Sequence, residues 1–399
     1  MAESEDMKTW ASAQNLENAI IVNTCAVTNE AERQARQTIR RLRRENPDSY
    51  IVATGCAVQL RPKVFSAMPE IDRILGNDAK AEALNFSPNR NQRVTVGPMT
   101  KTVVDQAPLV EPETGQIKAF VQVQNGCNHF CTFCTIALAR GRSRSVPLRL
   151  LIPQIANFLD KGMQEIILTG VDLTSYEDEG MSLGAMIRAL LSELPALKRL
   201  RVSSLDSMEV DRDLFDVLTG EPRVLPHVHL SLQAGSNAIL TAMKRRHSRE
   251  QAIELCQKLK AYRPEIALGA DFITGFPGES EAMFQETMDL VPQCQLTYLH
   301  VFPFSKRPGT LAARMVDQIA PEIIKDRAAR LRQVGQWAAG VSLGEKMGLI
   351  LNVLAENPHR GHADDFTDVQ FTTPVNGWQM VQVEVVGIRD SYILGRPMV

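Results

Sequence analysis

From about Lys118 to Phe302 the chain alternates six times between a short strand-like run and a helix-like run. The strand runs are Ala119–Val123, Glu165–Leu168, Leu200–Val202, Val228–Leu232, Ile266–Ile273 and Thr297–Phe302. Helical periodicity fills the gaps, as in Leu150–Leu159, Gln251–Leu259 and Glu281–Leu290. That alternation is the pattern of a parallel barrel, here with six units rather than eight. A long helix, about Glu322–Lys346, leaves it.

The flanking segments differ in kind. Ala19–Asn23 reads as a buried strand, followed by a helix with Ala31, Ala35, Ile39 and Leu42 at helical spacing. Arg33, Arg36, Arg40, Arg41, Arg43 and Arg44 occupy the rest of that helix and read as a solvated face, with an RNA-facing one as the second reading. A second strand, Tyr50–Ala53, completes a parallel pair, and ligands of such a pair belong beyond the strand C-termini. Cys25 and Cys56 stand there, one after each strand. Asn85–Gln116 is rich in Pro, Asn and Gly and reads as a linker. Beyond Leu349, the runs Ile350–Ala355, Phe366–Phe371, Met380–Val386 and Tyr392–Leu394 predict a small antiparallel β-barrel, either a nucleic-acid binder or a structural cap. The expected division is residues 1–90, a linker at 91–116, the barrel at 117–335 and the terminal module at 336–399.

Composition narrows the function classes. The 399 residues carry 44 Lys+Arg against 46 Asp+Glu, a formal charge of -2, so the chain is not basic all over, though a local basic surface is compatible. With 44% hydrophobic and 23% charged residues, fibrous, low-complexity and disordered classes are excluded. No apolar run reaches the ~18–20 residues of a membrane span, and the acidic start Met1–Asp6 has no signal-peptide core. A cytoplasmic protein without membrane contact is expected. Seven cysteines are few and odd in number, which points to metal binding or catalysis rather than a disulfide scaffold.

Cys127, Cys131 and Cys134 form C-x3-C-x2-C directly after the first barrel strand. Three thiolates so spaced can hold three corners of a 4Fe–4S cube, leaving the fourth iron open to a small molecule. Zinc wants four N/S ligands, and only His129 lies close in sequence. The other strand exits are polar or glycine-rich: Thr169–Asp172, Ser203–Asp206, Gln233–Ser236, Gly275–Gly278 and Phe304–Lys306. Together they predict one shared site on the carboxy-terminal rim. Cys256 and Cys294 fall in or beside helices and read as core residues.

The cysteine triplet resembles the signature of the radical S-adenosylmethionine (SAM) superfamily, which implies SAM bound at the open iron. By that resemblance Gly170 and Asp172 lie near the SAM amino group, Ser204 and Glu209 near its ribose and carboxylate, and the Asp271–Gly278 strand near adenine. Gln233, Asp271 and Gly275 join this implied cofactor-binding set. The resemblance extends to the methylthiotransferases through Asn125–Cys134, Leu230–Asn237 and Met243–Arg246, and to their TRAM domain through the C-terminal barrel. Arg140–Pro147, Gly170–Tyr176 and His300–Ser305 are most similar to the MtaB branch, which acts on tRNA with N6-threonylcarbamoyladenosine at position 37. The implied fold is α/β: a Rossmann-like N-terminal domain, a partial (β/α)6 radical SAM barrel and a TRAM-type barrel.

The implied chemistry uses one SAM as methyl donor and a second as radical source. An auxiliary 4Fe–4S cluster supplies the sulfur. The family gives that cluster three N-terminal cysteines; here Cys25 and Cys56 match and the third has no counterpart. Ala2–Met7 resembles the stretch just after the family's first cysteine, so the chain is expected to start at an internal methionine. Arg140, Arg142, Arg144, Lys244, Arg245 and Arg246 are the expected tRNA phosphate contacts. Phe130 and Phe133 are expected to pack around the cluster. An electron donor such as flavodoxin and a monomeric state are further expectations. Two alternatives stay open here: a ribosomal-protein aspartate methylthiotransferase of RimO type, and a non-catalytic tRNA-binding protein with a degenerate auxiliary cluster.

Overall fold

A computed structural model describes residues 7–9, 11, 14, 16, 18–88, 92–99 and 117–398. They fall into two compact units: one within Met1–Glu111, Gln124–Val146 and Ser305–Arg314, the other within Pro112–Val123, Pro147–Phe304 and Met315–Val399. The cysteine-bearing segment after the first barrel strand packs with the N-terminal residues, as does the segment after the sixth.

The first unit is built on a parallel sheet, β1 (Ala19–Thr24), β2 (Tyr50–Gly55), β3 (Arg73–Leu75) and β4 (Val94–Thr95), in that spatial order. β4 lies inside the stretch expected to be linker; it pairs with β3 from Ile74↔Val94 to Leu75↔Thr95. Residues 100–116 of the expected linker, like residues 2–6 of the N-terminal match, lie outside the described residues. Helix α1 (Asn29–Glu45) starts where the Thr28 hydroxyl accepts the Ala31 N–H at 3.0 Å, an N-cap reinforced by Glu30 and Glu32 in the first turn. Its apolar stripe buries Ile39 against Ile51, Ala53, Val58 and Phe65. Arg43 is not solvated as expected: it donates to Pro47 O at 2.8 Å and Ser49 O at 2.7 Å, and pairs with Asp72. Glu32, buried in the same helix, holds Arg307 at 3.0 Å and Arg61 at 3.1 Å, which ties the 305–314 segment to this unit.

The second unit contains the six expected parallel strands. β5 (Lys118–Gln122), β6 (Glu165–Thr169) and β7 (Leu200–Val202) form one sheet in the order β7-β6-β5. After Ser203 the chain continues as β8 (Ser204–Leu205), which opens a second sheet with β9 (His227–Gln233), β10 (Ala267–Thr274) and β11 (Leu296–Pro303). Among the described residues the first and last strands, β5 and β11, each pair on one side, so the barrel is open. Helices α2 (Leu148–Asp160), α3 (Leu183–Glu193), α4 (Arg212–Gly220), α5 (Arg249–Tyr262), α6 (Glu281–Gln293) and α7 (Pro321–Gly344) accompany the strands. Strand alternation decides which side they cover. Val228, Leu230 and Leu232 of β9 and Ala270 and Phe272 of β10 are almost wholly buried, and Leu299 of β11 packs on Gly335 of α7. His229, Asp271 and His300 point to the other, helix-free face.

The C-terminal strands close a five-stranded barrel: β12 (Ile350–Asn357), β13 (Arg360–Ala363), β14 (Asp368–Phe371), β15 (Gln379–Arg389) and β16 (Tyr392–Pro397), ordered β12-β13-β14-β16-β15. β13 was not foreseen, and Phe366 precedes β14 rather than opening it. The small core contains Val353, Val369, Phe371, Val383, Val385 and Ile393. This barrel is docked at the amino-terminal ends of the parallel strands. Lys118 of β5 pairs with Glu356, Arg199 with Asp364, and Arg201 donates to Asp364 O at 3.2 Å. Beneath them Glu165, 1% exposed, accepts from Arg199 at 2.9 Å and from Arg201 at 2.9 Å. Among the described residues no helix is long and apolar enough to cross a membrane.

Candidate functional site

In the first unit a two-residue ladder, Gln124–Asn125 against Arg144–Ser145, fixes the neck of the cysteine loop. Gly126 turns with φ 76° directly before Cys127, and a Cβ there would run into the Arg142 carbonyl, so glycine is required. The Cys127 N–H donates to Gly141 O at 3.1 Å, and the Cys134 N–H to Cys131 O at 3.0 Å. Two of the thiols are met by the backbone: His129 N–H lies 3.4 Å from Cys127 Sγ and Ile136 N–H 3.4 Å from Cys134 Sγ. None of the three is in a disulfide, and all three are half-buried. Backbone donors aimed at sulfur favour its thiolate form, which is the form that ligates metal.

Cys25 and Cys56 belong to the same unit, at the ends of β1 and β2. The Cys25 sulfur accepts the Val27 N–H at 3.4 Å. Cys56 is met by two side chains, Arg140 Nε at 3.3 Å and Asn77 Nδ2 at 3.7 Å. Asn77 is anchored in turn by donation to Ala139 O at 2.7 Å, and Arg140 by donation to Asn125 Oδ1 at 3.0 Å. The triplet therefore presents a donor set that fits three corners of an iron–sulfur cluster, whereas Cys25 and Cys56 offer two thiols. Cys256 and Cys294 are a contrast: 0% and 1% exposed, in the second unit, with the Cys256 thiol pushed up by its hydrogen bond to Cys294 and by burial. They are core residues, as expected.

Two of the expected tRNA contacts have partners within the protein. Arg140 reaches Cys56 and Asn125. Arg245, with a side chain 6% exposed, pairs with Asp206 at 2.6 Å and donates to Ser231 O at 2.7 Å. Arg144 donates to Arg140 O at 2.7 Å and so helps to shape the loop. Arg142, Lys244 and Arg246 remain exposed. Arg142 lies over the Phe130 ring at 4.7 Å, and Phe130 is 45% exposed.

In the second unit the polar strand exits converge in part. Asp172 precedes a short 3-10 turn, Leu173–Ser175, whose Thr174 hydroxyl donates to Glu209 at 3.0 Å. Glu209 also pairs with Arg246, and Asp206 N–H donates to Thr174 Oγ1 at 3.3 Å. Thr174, Asp206, Glu209 and Arg246 thus form one polar network, while the Asp172 carbonyl accepts from the Ser175 hydroxyl at 2.7 Å. Ser204 is exposed on β8, and Gln233 closes β9 with φ 70°. Gly275, φ 73°, donates its N–H to Glu279 at 2.8 Å in a turn packed on Ile324. Asp271 lies mid-strand, where His229 and His300 contact it. Those histidines, like Asn77, were missed by sequence reasoning. Their one signal was strand alternation, which puts 229, 271 and 300 on one face.

An open half-barrel of parallel strands whose first strand is followed by this thiol triplet defines the class of radical SAM proteins. The Radical SAM superfamily model matches residues 121–291, and the family described as Uncharacterized protein family UPF0004 matches residues 2–76. The radical SAM methyltransferase TsrM from Kitasatospora setae shares the fold, with a TM-score of 0.56 and 16% identity over 75% of this chain and 68% of that one. The threonylcarbamoyladenosine tRNA methylthiotransferase MtaB of Rickettsia prowazekii is 41% identical over 98% of this chain and 93% of its own length. MtaB of Bacillus subtilis is 32% identical over 88% and 81%. The chain belongs to the MtaB family of methylthiotransferases.

Proposed function

We propose that this protein is the enzyme that places a methylthio group on C2 of N6-threonylcarbamoyladenosine at position 37 of tRNA. The observation that carries this reading is the 41% identity to a relative of that name over nearly the whole of both chains. The site agrees with it: the thiol triplet, the second pair of thiols and the barrel exits are all present.

Cys127, Cys131 and Cys134 would hold a 4Fe–4S cluster with one iron left for SAM, and Cys25 and Cys56 would be ligands of a second cluster. Such a cluster, when bound, delivers an electron to SAM and opens C–H bonds that no side-chain base near neutral pH can deprotonate. The protein's own residues prepare the ground. Backbone N–H groups of Val27, His129 and Ile136 donate to the sulfurs of Cys25, Cys127 and Cys134. Arg140 and Asn77 do the same for Cys56. Asp172, Ser204, Glu209 and Gln233 stand at the strand exits where a SAM amino acid and ribose would be bound. Arg142, Lys244 and Arg246 supply exposed positive charge for tRNA phosphates, a salt-sensitive contribution. The enzyme works in the cytoplasm as a monomer, with an electron donor such as flavodoxin.

Anaerobic reconstitution with iron and sulfide counts, followed by nucleoside mass spectrometry of tRNA from a deletion strain, tests this reading. The expected result is a brown protein, 5′-deoxyadenosine formed from SAM under dithionite, and loss of 2-methylthio-threonylcarbamoyladenosine in the deletion strain. Simultaneous Cys127→Ala, Cys131→Ala and Cys134→Ala replacement should remove one cluster's iron and abolish SAM cleavage. A colourless chain with stoichiometric zinc would refute the cluster assignment. A chain that binds tRNA but never cleaves SAM would be the non-catalytic binder.

A further inference from the structure

On the helix-free face of the β9-β10-β11 sheet, His229, Asp271 and His300 meet. Nε2 of His229 lies 2.9 Å and Nδ1 of His300 3.2 Å from the same oxygen, Asp271 Oδ1. The two rings lie with centroids 4.5 Å apart. Access increases across the set, with side chains 8%, 23% and 62% exposed for His229, Asp271 and His300. His229 fits because its strand partner is Gly269, where a Cβ would stand 2.6 Å from His229 Nδ1.

Burial by itself would raise the Asp271 carboxyl. The hydrogen bonds from His229 and His300 outweigh burial and hold it at about 2. Asp271 is therefore an acceptor only, and each ring nitrogen facing it carries a proton. The Asp271 hydrogen bond, against some burial, raises His300. Asp271 thus favours the cationic form of His300, whose second ring nitrogen is turned away from Asp271 on an accessible side chain with a buried histidine behind it. Such a group suits an anion of carboxylate size.

Threonylcarbamoyladenosine carries a carboxylate on its threonyl portion, whereas a dimethylallyl adenosine carries none. Resting on the function proposed above, we propose that His300, braced by Asp271 and His229, takes the threonyl carboxylate of the target nucleoside and sets the enzyme's specificity for it.

The test measures binding of anticodon stem-loop RNAs that differ at one nucleotide: threonylcarbamoyladenosine, dimethylallyladenosine or unmodified adenosine. The full reconstituted chain is used as wild type, His300→Gln and His300→Lys. A charge-assisted hydrogen bond predicts a wild-type preference of about 10- to 100-fold for the threonylcarbamoyl RNA. His300→Gln should bind all three RNAs about equally, and His300→Lys should restore the preference. Retention of the preference in His300→Gln would overturn the assignment while leaving the substrate reading intact. Equal weakening toward every RNA would also overturn it, as a packing role. Absence of any preference in the wild type would remove both the assignment and the substrate reading. These three ligands also have the chemistry of a transition-metal site. Stoichiometric metal lost on His300→Gln replacement would therefore count against the anion role.

Discussion

His227 and His300 belong to one sheet and face the same side of it, yet their surroundings push them in opposite directions. His227 opens β9 at the amino-terminal end, 9% exposed, with the rings of Phe366 at 5.0 Å and Tyr298 at 5.9 Å around it. Burial, then the Arg201 charge, lower it to about 3, so it is neutral at physiological pH. His300 sits further along β11, exposed, and Asp271 raises it. The difference separates two tasks on one surface. At the base every charge is matched inside the protein: burial would raise Glu165, but Arg201, Lys118 and Arg199 outweigh it and keep it ionised. Further up, charge is left available to a ligand.

The comparison breaks most readily at Glu165. Glu165→Gln leaves Arg199 and Arg201 facing one another with side chains 9% and 4% exposed. Removing one partner of such a buried set costs about 3–5 kcal/mol. Urea unfolding followed by circular dichroism should show the midpoint falling by a corresponding amount. A midpoint equal to wild type would mean that the base is not the stabilising half.

A pH series sharpens the contrast with a smaller effect. An unfolded histidine titrates near 6.5, whereas folded His227 titrates at about 3. The unfolded chain therefore binds more protons between those values, and this stability is complete above about 6.5 and lost as pH falls. Each histidine of this kind contributes a slope of up to about 1.4 kcal/mol per pH unit. His247, lowered to about 4 by burial and by Arg245, acts in the same direction. His300 works in reverse: its stabilisation is present below the unfolded value and disappears as pH rises through its raised pKa. Denaturation midpoints from pH 5 to 8 should show a flatter acid limb in His227→Phe and a flatter alkaline limb in His300→Gln. Identical profiles would erase the distinction between the two histidines.

Much of this arrangement was legible in the chain. The six parallel strands were found because buried runs of Val, Ile and Leu repeat between helical stretches, and the thiol triplet because its ligands are local. β4 and β13 escaped because strands of two and four residues are too short for period-two alternation to stand out. The internal partners of two arginines escaped for a different reason. Arg140 finds its sulfur 84 residues away and Arg245 its carboxylate 39 residues away, so each reads locally as one more basic turn residue. The His229, Asp271 and His300 set is likewise assembled across separations of 42 and 29 residues.

The smallest expected effect concerns the ring that shields the base. Phe366 stacks on His362 at 5.0 Å and lies tilted against His227 at 5.0 Å, with the Arg201 guanidinium 5.0 Å from its ring. It holds this place at φ 73°, a left-handed conformation that disfavours any side chain. The ring is 39% exposed, so Phe366→Ala should cost less than a fully buried truncation, about 2 kcal/mol. Phe366→Gly removes the same ring but relieves the left-handed backbone, so it should be more stable than the alanine variant by about 1 kcal/mol. That reverses the usual order of alanine over glycine. In both variants water reaches the base, and the His227 resonance in an NMR titration should move from about 3 toward the ordinary histidine value. If His227 stays suppressed in both, Tyr298 and the strand ends exclude water unaided, and the C-terminal barrel is not what keeps the base dry.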